Sequence, residues 1–539
     1  IHLDDAGATY PLDVDPLVAV IEAKIPTPDN QPNDQFGYGL AFSGNTVVVG
    51  VPKSDDFGTD SGAGYVFVRQ SPGVWVQQGP KLLPADGRPG QWFGFSVGLS
   101  GDTAVFTAPF DNDGGFAAGA AYVFVRNGNV WSQQAKLRPA DNVSGDVFGI
   151  SGAIHTDRIV IGAHGADDAQ NGYESGAAYS FTRSAGVWTQ EQKLIAPDGE
   201  ENELFGATVA VSAAAIGVGA VYDDDLGFHS GSMYMYGLNG PTWEQKQKLL
   251  APNGAAGDLF SYWAAISSDK MIVSAALYDD GVPNSDYGAA FVYINIAGSW
   301  VLEQKLVAND RKPGDWFGSH VAIENNSIMV GAQQTDEFGV DSGSAYWYNR
   351  TNGTWNLRHK LLPQPGAQGD RFGWTVGVSG NLAAVGAPFD DTKATDAGAV
   401  YIFTEKKTNG EPCTNNTECL SDICVDGVCC DTVCGGGAGN DCQACSVVAG
   451  GPVDGTCSAI AAGTSCRASL GACDAEETCN GVDLSCPTDR KVAAGTECRA
   501  AGGTCDIAEK CDGVTNNCPA DVNAPAGTVC RASAGSCDI

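Results

Sequence analysis

Short acidic runs recur through the first 400 residues of the chain, and their carboxylates are suited to hold a cation. Asp55 and Asp60 are five residues apart with a glycine between them, as are Asp336 and Asp341. Such a pair could wrap one hard cation, with backbone carbonyls supplying the remaining oxygen ligands of Ca²⁺. The candidate calcium ligands are Asp55, Asp60, Asp223, Asp225, Asp279, Asp286, Asp336, Asp341, Asp390 and Asp396.

A second acidic position recurs between these runs. It holds Asp34, Asp146, Glu203, Asp258, Asp315 and Asp370, and once Gln91. Turn formation accounts for both sets as well, because Asp and Gly favour turns through hydrogen bonds from side chain to backbone. Two interpretations therefore stay open, calcium binding in at least one loop and turn chemistry alone.

One segment matches a catalytic motif, the G-x-S-x-G of serine hydrolases, at residues 94–98. The chain contains six related segments, and there the place of Ser96 is taken by Gly39, Ser151, Thr208, Trp263, His320 and Thr375. A nucleophile would not vary in this way. The histidines are scattered, without a metal-ligand partner at short spacing; they are His2, His155, His164, His229, His320 and His359. The sequence therefore predicts no catalytic residue.

The chain repeats one pattern seven times, and this decides the fold. Its first landmark is a Phe, followed by Gly in all copies but one, where Ser261 stands. The landmark residues follow one another at nearly constant intervals and are Phe36, Phe93, Phe148, Phe205, Phe260, Phe317 and Phe372. A second landmark follows, as in Gly386-Ala387-Pro388. The acidic runs come after it, and the second acidic position lies two residues before each Phe.

Each copy contains four strand-like runs, illustrated by residues 93–99, 46–49, 64–67 and 75–83. They are rich in Val, Thr and aromatic residues, which favour strands, and no helical period is sustained. Seven copies of four strands predict an all-β, seven-bladed propeller, in which stacked blades bury both faces of each sheet. A β-solenoid whose single coil was as long as one copy would be unusual, and a row of sandwiches would not keep so constant a period.

The two landmarks resemble FG-GAP repeats, the blades of the integrin α-subunit propeller, and the resemblance covers residues 17–404. Integrins carry a calcium loop of the Asp-x-Asp-x-Asp-Gly type between the first and second strands. Here that place holds segments such as residues 43–46 (Ser-Gly-Asn-Thr), with too few carboxylates for the six to eight oxygens that Ca²⁺ requires. The chain is similar to the bacterial variety of the repeat, and the integrin calcium sites are not carried over.

The ring is predicted to close through its N-terminal strand. The seventh copy ends at residues 401–403 without its Trp and Lys-Leu run, and residues 16–25 match that run apart from the Trp. Residues 17–25 should therefore pair with residues 398–404 as the outermost strand of the seventh blade. In up-and-down blades both acidic loop sets emerge on one side of the ring, which we call the acidic face. We expect a protein or glycan ligand to bind there.

The 539 residues carry a formal net charge of −34, which excludes a polyanion such as nucleic acid as a natural partner. No run of 18 apolar residues occurs, so no membrane span is expected. The chain begins at Ile1, which leaves open whether a leader preceded it.

All 19 cysteines lie between Cys413 and Cys537. A unit of four recurs at a fixed interval, as Cys466, Cys473, Cys479 and Cys486 and then Cys498, Cys505, Cys511 and Cys518. Few large apolar residues are present, so we expect structural disulfides and an oxidising compartment. Four cysteines per unit allow three connectivities, and the sequence does not choose among them. The predicted domains are a leader segment (1–16), the propeller (17–404), a linker (405–412), a cysteine-rich spacer (413–465) and the four-cysteine repeats (466–539), the third truncated.

The tail units at residues 473–489 and 505–521 resemble the disintegrin module of adhesive metalloproteases. No Arg-Gly-Asp occurs, so that mode of integrin binding is not supported. Residues 413–457 resemble spacers in secreted proteins of predatory and soil bacteria. Cys442 and Cys445 form half of a zinc-site pattern, but disulfides are favoured in an oxidising compartment.

These features predict a non-enzymatic, extracellular adhesion or binding protein of a bacterial cell surface, with the propeller as a rigid head on a disulfide-rich stalk. Calcium is the one cofactor suggested. A structural subunit of an extracellular fibre or sheath, built by self-association, is the alternative. An enzyme with a propeller active site is a third hypothesis, because the fold hosts many chemistries. The sequence identifies neither the ligand nor the oligomeric state.

Overall fold

The computed structural model describes residues 17–29, 31–437 and 441–532. The chain divides into two compact units, one formed by residues 19–404 and the other containing the residues from Glu405 onward. The described part of the first unit consists of strands and turns without a helix. Nowhere among the described residues is a helix long and apolar enough to cross a membrane.

The first unit is built from seven antiparallel sheets of four strands each, which confirms the predicted propeller. Strand β1 covers Leu17–Pro26. Blade 1 contains β2 (Gly39–Ser43), β3 (Thr46–Val51), β4 (Ala63–Ser71) and β5 (Val74–Gln77), and blade 2 contains β6 (Val97–Ser100), β7 (Thr103–Ala108), β8 (Ala120–Asn127) and β9 (Val130–Leu137). Blade 3 contains β10 (Ser151–His155), β11 (Arg158–Ala163), β12 (Ala177–Ser184) and β13 (Val187–Leu194), and blade 4 contains β14 (Phe205–Val211), β15 (Ala215–Ala220), β16 (Ser232–Asn239) and β17 (Thr242–Leu250). Blade 5 contains β18 (Phe260–Ser267), β19 (Lys270–Ala275), β20 (Ala289–Ile296) and β21 (Ser299–Leu306), and blade 6 contains β22 (Val321–Glu324), β23 (Ser327–Ala332), β24 (Ser344–Thr351) and β25 (Thr354–Leu361). Blade 7 adds β26 (Thr375–Ser379), β27 (Leu382–Ala387) and β28 (Ala399–Lys407).

Blade 7 is assembled from both ends of the propeller sequence. Its strand order is β1-β28-β27-β26, so β1 is the outermost strand beside β28. Lys24 of β1 donates to the carboxylate of Asp390 at 2.8 Å. Glu22 of the same strand accepts a hydrogen bond from the indole of Trp75, in blade 1, at 3.0 Å. The predicted closure of the ring by the N-terminal strand is confirmed.

The Phe-Gly landmark fills the core at the start of each blade. Phe36 is fully buried, and its ring lies edge-on to Tyr65 with centroids 5.6 Å apart. Gly37 has a φ of +94°, and a Cβ there would lie 2.9 Å from the carbonyl oxygen of Ala399, so a larger residue would displace the backbone. Ser261 adopts the same left-handed conformation in blade 5, and its buried hydroxyl has no hydrogen-bond partner.

The fourth-strand tryptophans connect neighbouring blades. In at least five blades the indole Nε1 donates to a Gln or Glu of the preceding blade. Trp131 donates to Gln78 at 2.9 Å, for example. The Trp landmark therefore links the sheets as well as filling space.

The described residues from Glu405 onward contain only short elements. The two 3-10 helices are Asn416–Glu418 and Cys434–Gly437. The strands are β29 (Cys424–Val425), β30 (Val428–Cys429), β31 (Gln443–Ala444), β32 (Ser458–Ala459), β33 (Ser465–Arg467), β34 (Glu477–Thr478), β35 (Glu497–Arg499), β36 (Asp506–Ile507), β37 (Glu509–Lys510) and β38 (Val522–Asn523).

Disulfides stabilise this part of the chain, because its elements are too short to form a core. The pairs are Cys413–Cys424, Cys419–Cys429, Cys430–Cys445, Cys434–Cys457, Cys442–Cys479, Cys466–Cys486, Cys473–Cys511, Cys498–Cys518 and Cys505–Cys530. Both cysteines of the half zinc pattern, Cys442 and Cys445, are therefore in disulfides. Cys537 lies outside the described residues.

Some of these bonds join one repeat to the next. Cys466 pairs with Cys486 inside the first repeat, whereas Cys473 of that repeat pairs with Cys511 of the second. The three connectivities expected from the sequence assumed that all four cysteines of a unit pair with one another, so a bond between units was not among them. Covalent links between successive units suit a stalk, since each unit is held to its neighbour.

Candidate functional site

The two acidic loop sets lie side by side on one face of the ring, as the up-and-down topology predicts. The loop that enters blade 2 runs along the second-to-third-strand loop of blade 1. There, Gly90 N–H donates to the Thr59 carbonyl at 2.8 Å, and Trp92 N–H donates to the Asp60 carbonyl at 3.1 Å. Equivalent hydrogen bonds recur around the ring, for example from Gly145 to Phe116 at 2.9 Å. The acidic face is therefore a continuous surface of paired loops.

The five-residue spacing of the acidic pairs has a local structural cause. Asp55 Oδ1 accepts the backbone N–H of Asp60 at 2.9 Å, and Asp336 accepts that of Asp341 at 3.0 Å. Asp60 and Asp341 both have a φ of 56°, a left-handed conformation that Asp tolerates better than most residues. The first carboxylate thus closes the loop and the second residue supplies its bend. This is the turn chemistry that the sequence left as one of two interpretations.

In the two pairs with five-residue spacing, the second carboxylate faces a base. Asp60 forms an ion pair with Lys53 at 2.8 Å, and Asp341 lies 3.6 Å from Arg371.

In blade 5, Asp279 accepts the backbone N–H groups of residues 284, 285 and 286. Burial raises the pKa of Asp279, but these donors outweigh it and hold the pKa below its usual value. Burial and the charge of Asp279 both raise the pKa of Asp286.

A lysine recurs among the carboxylates of the acidic face, once per blade. The residues follow one another at the same intervals as the landmark Phe and are Lys24, Lys81, Lys136, Lys193, Lys248, Lys305 and Lys360. Each ammonium lies over the ring of a tyrosine, at 4.7 to 5.5 Å from its centroid. This is the Lys of the Lys-Leu landmark, which sequence reasoning had used only to place the fourth strand.

Blade 4 shows what this lysine does. Lys248 Nζ lies 2.7 Å from Asp223, 2.8 Å from Asp225 and 3.1 Å from Asp198. Asp223 is fully buried and also accepts hydrogen bonds from Ser232 and Tyr234. With Asp60, which pairs with Lys53, four of the candidate calcium ligands have a lysine ammonium as their cation; the other three are Asp223, Asp225 and Asp390.

No cluster in the described part of the propeller brings ligand atoms of three His, Cys, Asp or Glu side chains within 4.8 Å of one another. Calcium binding in these loops stays a prediction. In the described loops, the carboxylates accept hydrogen bonds that close turns or form ion pairs with lysine, and these roles explain why they recur.

The second acidic position is buried. Burial raises the pKa of Asp34 and of Glu203 to about 7, and that of Asp370 to about 6. Asp370 Oδ2 accepts the backbone N–H of Ala367 at 2.9 Å. In blade 2 the position holds Gln91, a neutral amide whose Oε1 likewise accepts a backbone N–H, that of Arg88, at 2.7 Å. A hydrogen-bond acceptor is therefore what this position requires, and the charge is not essential.

Exposed apolar side chains project from the tips of the second-to-third-strand loops. We call them the apolar crown, which consists of Phe57, Phe116, Tyr173, Phe228, Val282 and Phe338. Six of the seven blades contribute at least one, and Leu226 and Val340 are exposed in the same loops as Phe228 and Phe338. Part of this pattern is visible in the sequence, because Phe116 and Phe228 occupy equivalent repeat positions, as do Phe57 and Phe338. The residue type varies in the other loops, and the exposure of these side chains is known only from the structure.

The G-x-S-x-G match lies at the inner edge of blade 2, just before β6. The N–H of Ser96 donates to Thr107 Oγ1 at 2.9 Å, and that hydroxyl is 3.2 Å from the Ser96 carbonyl. These bonds join two neighbouring strands, whereas a nucleophile elbow joins a strand to a helix. The predicted absence of a serine hydrolase site is consistent with this geometry.

Comparisons with known proteins agree with the repeat structure. Seven segments match the FG-GAP repeat family, at residues 20–67, 75–124, 131–181, 188–236, 243–293, 300–348 and 355–403. No curated protein matches the chain. Among solved structures, the crystal structure of Saccharomyces cerevisiae Sqt1 is similar with a TM-score of 0.38 and 11% identity, over 69% of this chain and 96% of that chain.

Proposed function

The chain belongs to the FG-GAP repeat family, and we propose that it is an extracellular binding protein of the adhesion type whose acidic face receives a protein partner. FG-GAP propellers are typically non-catalytic, and the disulfide-rich tail fits an extracellular protein.

The apolar crown is the observation that carries this proposal. Single exposed apolar residues are common on soluble proteins and need no explanation. Here an exposed apolar side chain recurs at the tip of the same loop in six of seven blades, all on one face. Aromatic side chains at such positions contribute much of the energy of protein interfaces.

Charge supplies the second part of the recognition. Residues 1–412 contain 47 Asp and Glu but only 24 Lys and Arg, and the acidic runs of the second-to-third-strand loops lie on the acidic face. The second acidic position is buried and adds little to the surface charge. A surface of one sign accelerates association with a partner of the opposite sign. We therefore expect a partner with a basic surface around an apolar centre, and binding that weakens as ionic strength rises.

The test compares the acidic face with the opposite face at matched exposure. Phe116 is 80% exposed and Phe228 is 67% exposed on the acidic face; Val130 at 66% and Val187 at 62% lie in hairpins of the opposite face. The readout is binding of the purified, labelled chain to intact cells and to an array of purified cell-surface proteins.

Phe116→Ser with Phe228→Ser should abolish most of the binding, while Val130→Ser with Val187→Ser should leave it unchanged. All four substitutions replace an exposed apolar group by a hydroxyl, so stability should change little in either pair. Equal loss from both pairs, or loss from the second pair alone, would refute a docking site on the acidic face.

A structural subunit of an extracellular fibre is the second candidate, favoured by the disulfide between Cys473 and Cys511 that links successive repeats. Covalent continuity from unit to unit is what a load-bearing stalk requires. Electron microscopy of the full chain at rising concentration distinguishes the two. Filaments that form without any partner support the fibre, and dispersed particles support the adhesion protein.

A further inference from the structure

A cavity of about 260 Å³ opens at the centre of the acidic face, where the first strands of the blades begin. The residues two after the landmark Phe form its wall, including Tyr38, Phe95, Tyr262 and Trp374. Ligand pockets for drug-sized molecules span roughly 300–1,000 Å³. A cavity slightly below that range holds a single ring with its substituents.

The aromatic wall continues outward as an arc of touching rings. Ring centroids are 5.3 Å apart for Tyr38 and Phe95 and 5.0 Å apart for Tyr38 and Trp374. Trp374 in turn lies 5.5 Å from Phe389. Flat apolar faces of this kind bind the C–H face of a ring and leave its polar edge free for hydrogen bonds.

Polar groups are placed between these rings. Gln333 is buried and its Oε1 has no hydrogen-bond partner, although the residue lines the cavity. Such an orphaned buried acceptor is costly unless a ligand or water satisfies it. Burial raises the pKa of Tyr38 to about 12, and the neighbouring phenol of Tyr262 adds to the rise, so their hydroxyls remain donors.

His320 supplies a further neutral donor. Its ring packs against Trp263 at an interplanar angle of 33°, with centroids 4.3 Å apart, and its Nδ1 accepts the backbone N–H of Val376 at 3.4 Å. Burial lowers the pKa of His320 to about 3, so the imidazole is neutral at physiological pH. With Nδ1 as the acceptor, the proton is on Nε2, which can donate to a ligand.

The cavity is built for a neutral ligand. None of the described residues that line it carries a charge at neutral pH. A buried cation would find no carboxylate to balance it. The outer rings already have cations beside them, since Lys53 lies 3.5 Å from the centroid of Trp92 and Arg371 lies 5.4 Å from that of Phe389.

We propose that this central cavity binds one neutral sugar ring, stacked on Tyr38, Phe95 and Trp374 and hydrogen-bonded by Gln333 and His320. Alternating C–H faces and hydroxyl groups match a wall in which aromatic faces and uncharged donors and acceptors alternate. The inference rests on the proposed function, because it names a ligand chemistry for the centre of the acidic face. The sugar would be one residue of a glycan on the partner.

The test titrates the full chain with glucose, galactose, mannose and N-acetylglucosamine, by calorimetry and by the fluorescence of Trp263 and Trp374. At least one sugar should bind with millimolar affinity. Gln333→Met keeps the volume but removes the acceptor, so binding should weaken roughly tenfold. Tyr38→Phe removes one hydroxyl with little risk to folding and should weaken binding to a lesser extent. Circular dichroism confirms that each variant is folded.

Choline and arginine serve as cationic probes of the same cavity. Saturable binding of either, without sugar binding, would overturn the proposal, and so would the absence of saturable heat from all four sugars. Val130→Ser with Val187→Ser, on the opposite face, should leave sugar binding unchanged, and the crown experiment measures binding to cells rather than to free sugar. Failure of the sugar titration together with a positive crown experiment would therefore refute the sugar site while sparing the adhesion function.

Discussion

Lys248 donates to the carboxylate of Asp223 across 2.7 Å at a place where the sequence alone suggested calcium. The same lysine position recurs in all seven blades, so the ring carries its own cations. Burial alone would lower the pKa of this lysine, but its hydrogen bonds to Asp223 and Asp225 outweigh that and raise it. The acidic face therefore keeps its fold at neutral pH despite the excess of carboxylates.

Removing this ammonium should expose a cation site. Lys248→Met leaves Asp223 buried without its partner, which costs about 3 kcal/mol or more, so the melting temperature should fall. Millimolar calcium should then raise the melting temperature of the variant more than that of the wild type, since an ion that binds only the folded state stabilises it.

Lys246→Met is the matched control, because Lys246 lies on the same strand, is exposed and, among the described residues, forms its ion pair with Glu244 alone. That variant should melt like the wild type. Unchanged melting of Lys248→Met would show that the lysine does not stabilise the face. For the wild type, identical curves in EDTA and in calcium would leave turn chemistry and lysine as a sufficient account of Asp55, Asp60, Asp336 and Asp341.

The buried carboxylates of the second acidic position should make stability depend on pH. Their folded-state pKa values, about 7 for Asp34 and Glu203 and about 6 for Asp370, lie above those of the unfolded chain. The folded state then holds more protons, so their contribution to the free energy of unfolding falls as pH rises from about 4 to 7. Each unit of pKa difference corresponds to about 1.4 kcal/mol.

The triple variant Asp34→Asn, Glu203→Gln and Asp370→Asn isolates this effect. The amides keep the acceptor that Gln91 shows to be sufficient. Relative to the wild type, the variant should gain stability as pH rises from 5 to 7.5, measured by denaturant unfolding. His320, whose pKa is lowered by burial, contributes in the opposite direction but is present in both proteins. If the free energies of unfolding of the variant and the wild type change in parallel with pH, these carboxyl groups do not take up protons on folding.

Removal of β1 should open the ring. Without residues 17–26, blade 7 loses its outer strand, and the hydrogen bonds from Lys24 to Asp390 and from Trp75 to Glu22 are lost. The melting temperature should drop far more than a terminal deletion usually causes. A synthetic peptide of residues 17–26 should restore part of it. A deletion variant that melts like the full chain would contradict non-covalent closure.

Reduction should affect the two units differently. Every cysteine of the chain lies between residues 413 and 537, so dithiothreitol should unfold the tail and leave the β signal of the propeller intact in circular dichroism. Loss of that signal under mild reduction would mean that the propeller depends on the tail.

The fold could be predicted from the sequence because its determinants are local and repeated. Phe36 and its six equivalents mark the core of each blade, and the absent Trp run after residue 403 pointed to β1. The acidic site was harder to predict. Asp55 and Asp60 are close in sequence, but the sequence does not show their partners. The carboxylate of Asp55 accepts the backbone N–H of Asp60, and the carboxylate of Asp60 pairs with Lys53.

Contacts between repeats carried the features that the sequence did not reveal. Lys248 of blade 4 forms an ion pair with Asp198, which lies in the loop between blades 3 and 4. Cys473 pairs with Cys511 of the next repeat. Repeat analysis aligns equivalent residues but does not show which neighbours they meet. The apolar crown was overlooked for a different reason. Phe116 and Phe228 occupy equivalent repeat positions, but the residue type varies among the other blades and the exposure of a side chain is not visible in the sequence.

Photo-cross-linking from two positions tests the central claim most directly. A photoreactive amino acid replaces Phe116 on the acidic face in one variant and Val130 on the opposite face of the same blade in another, and each is bound to intact cells and irradiated. The account predicts a covalent adduct with a cell-surface partner from position 116 and none from position 130. An adduct from position 130 alone, or equal adducts from both, would contradict recognition through the acidic face.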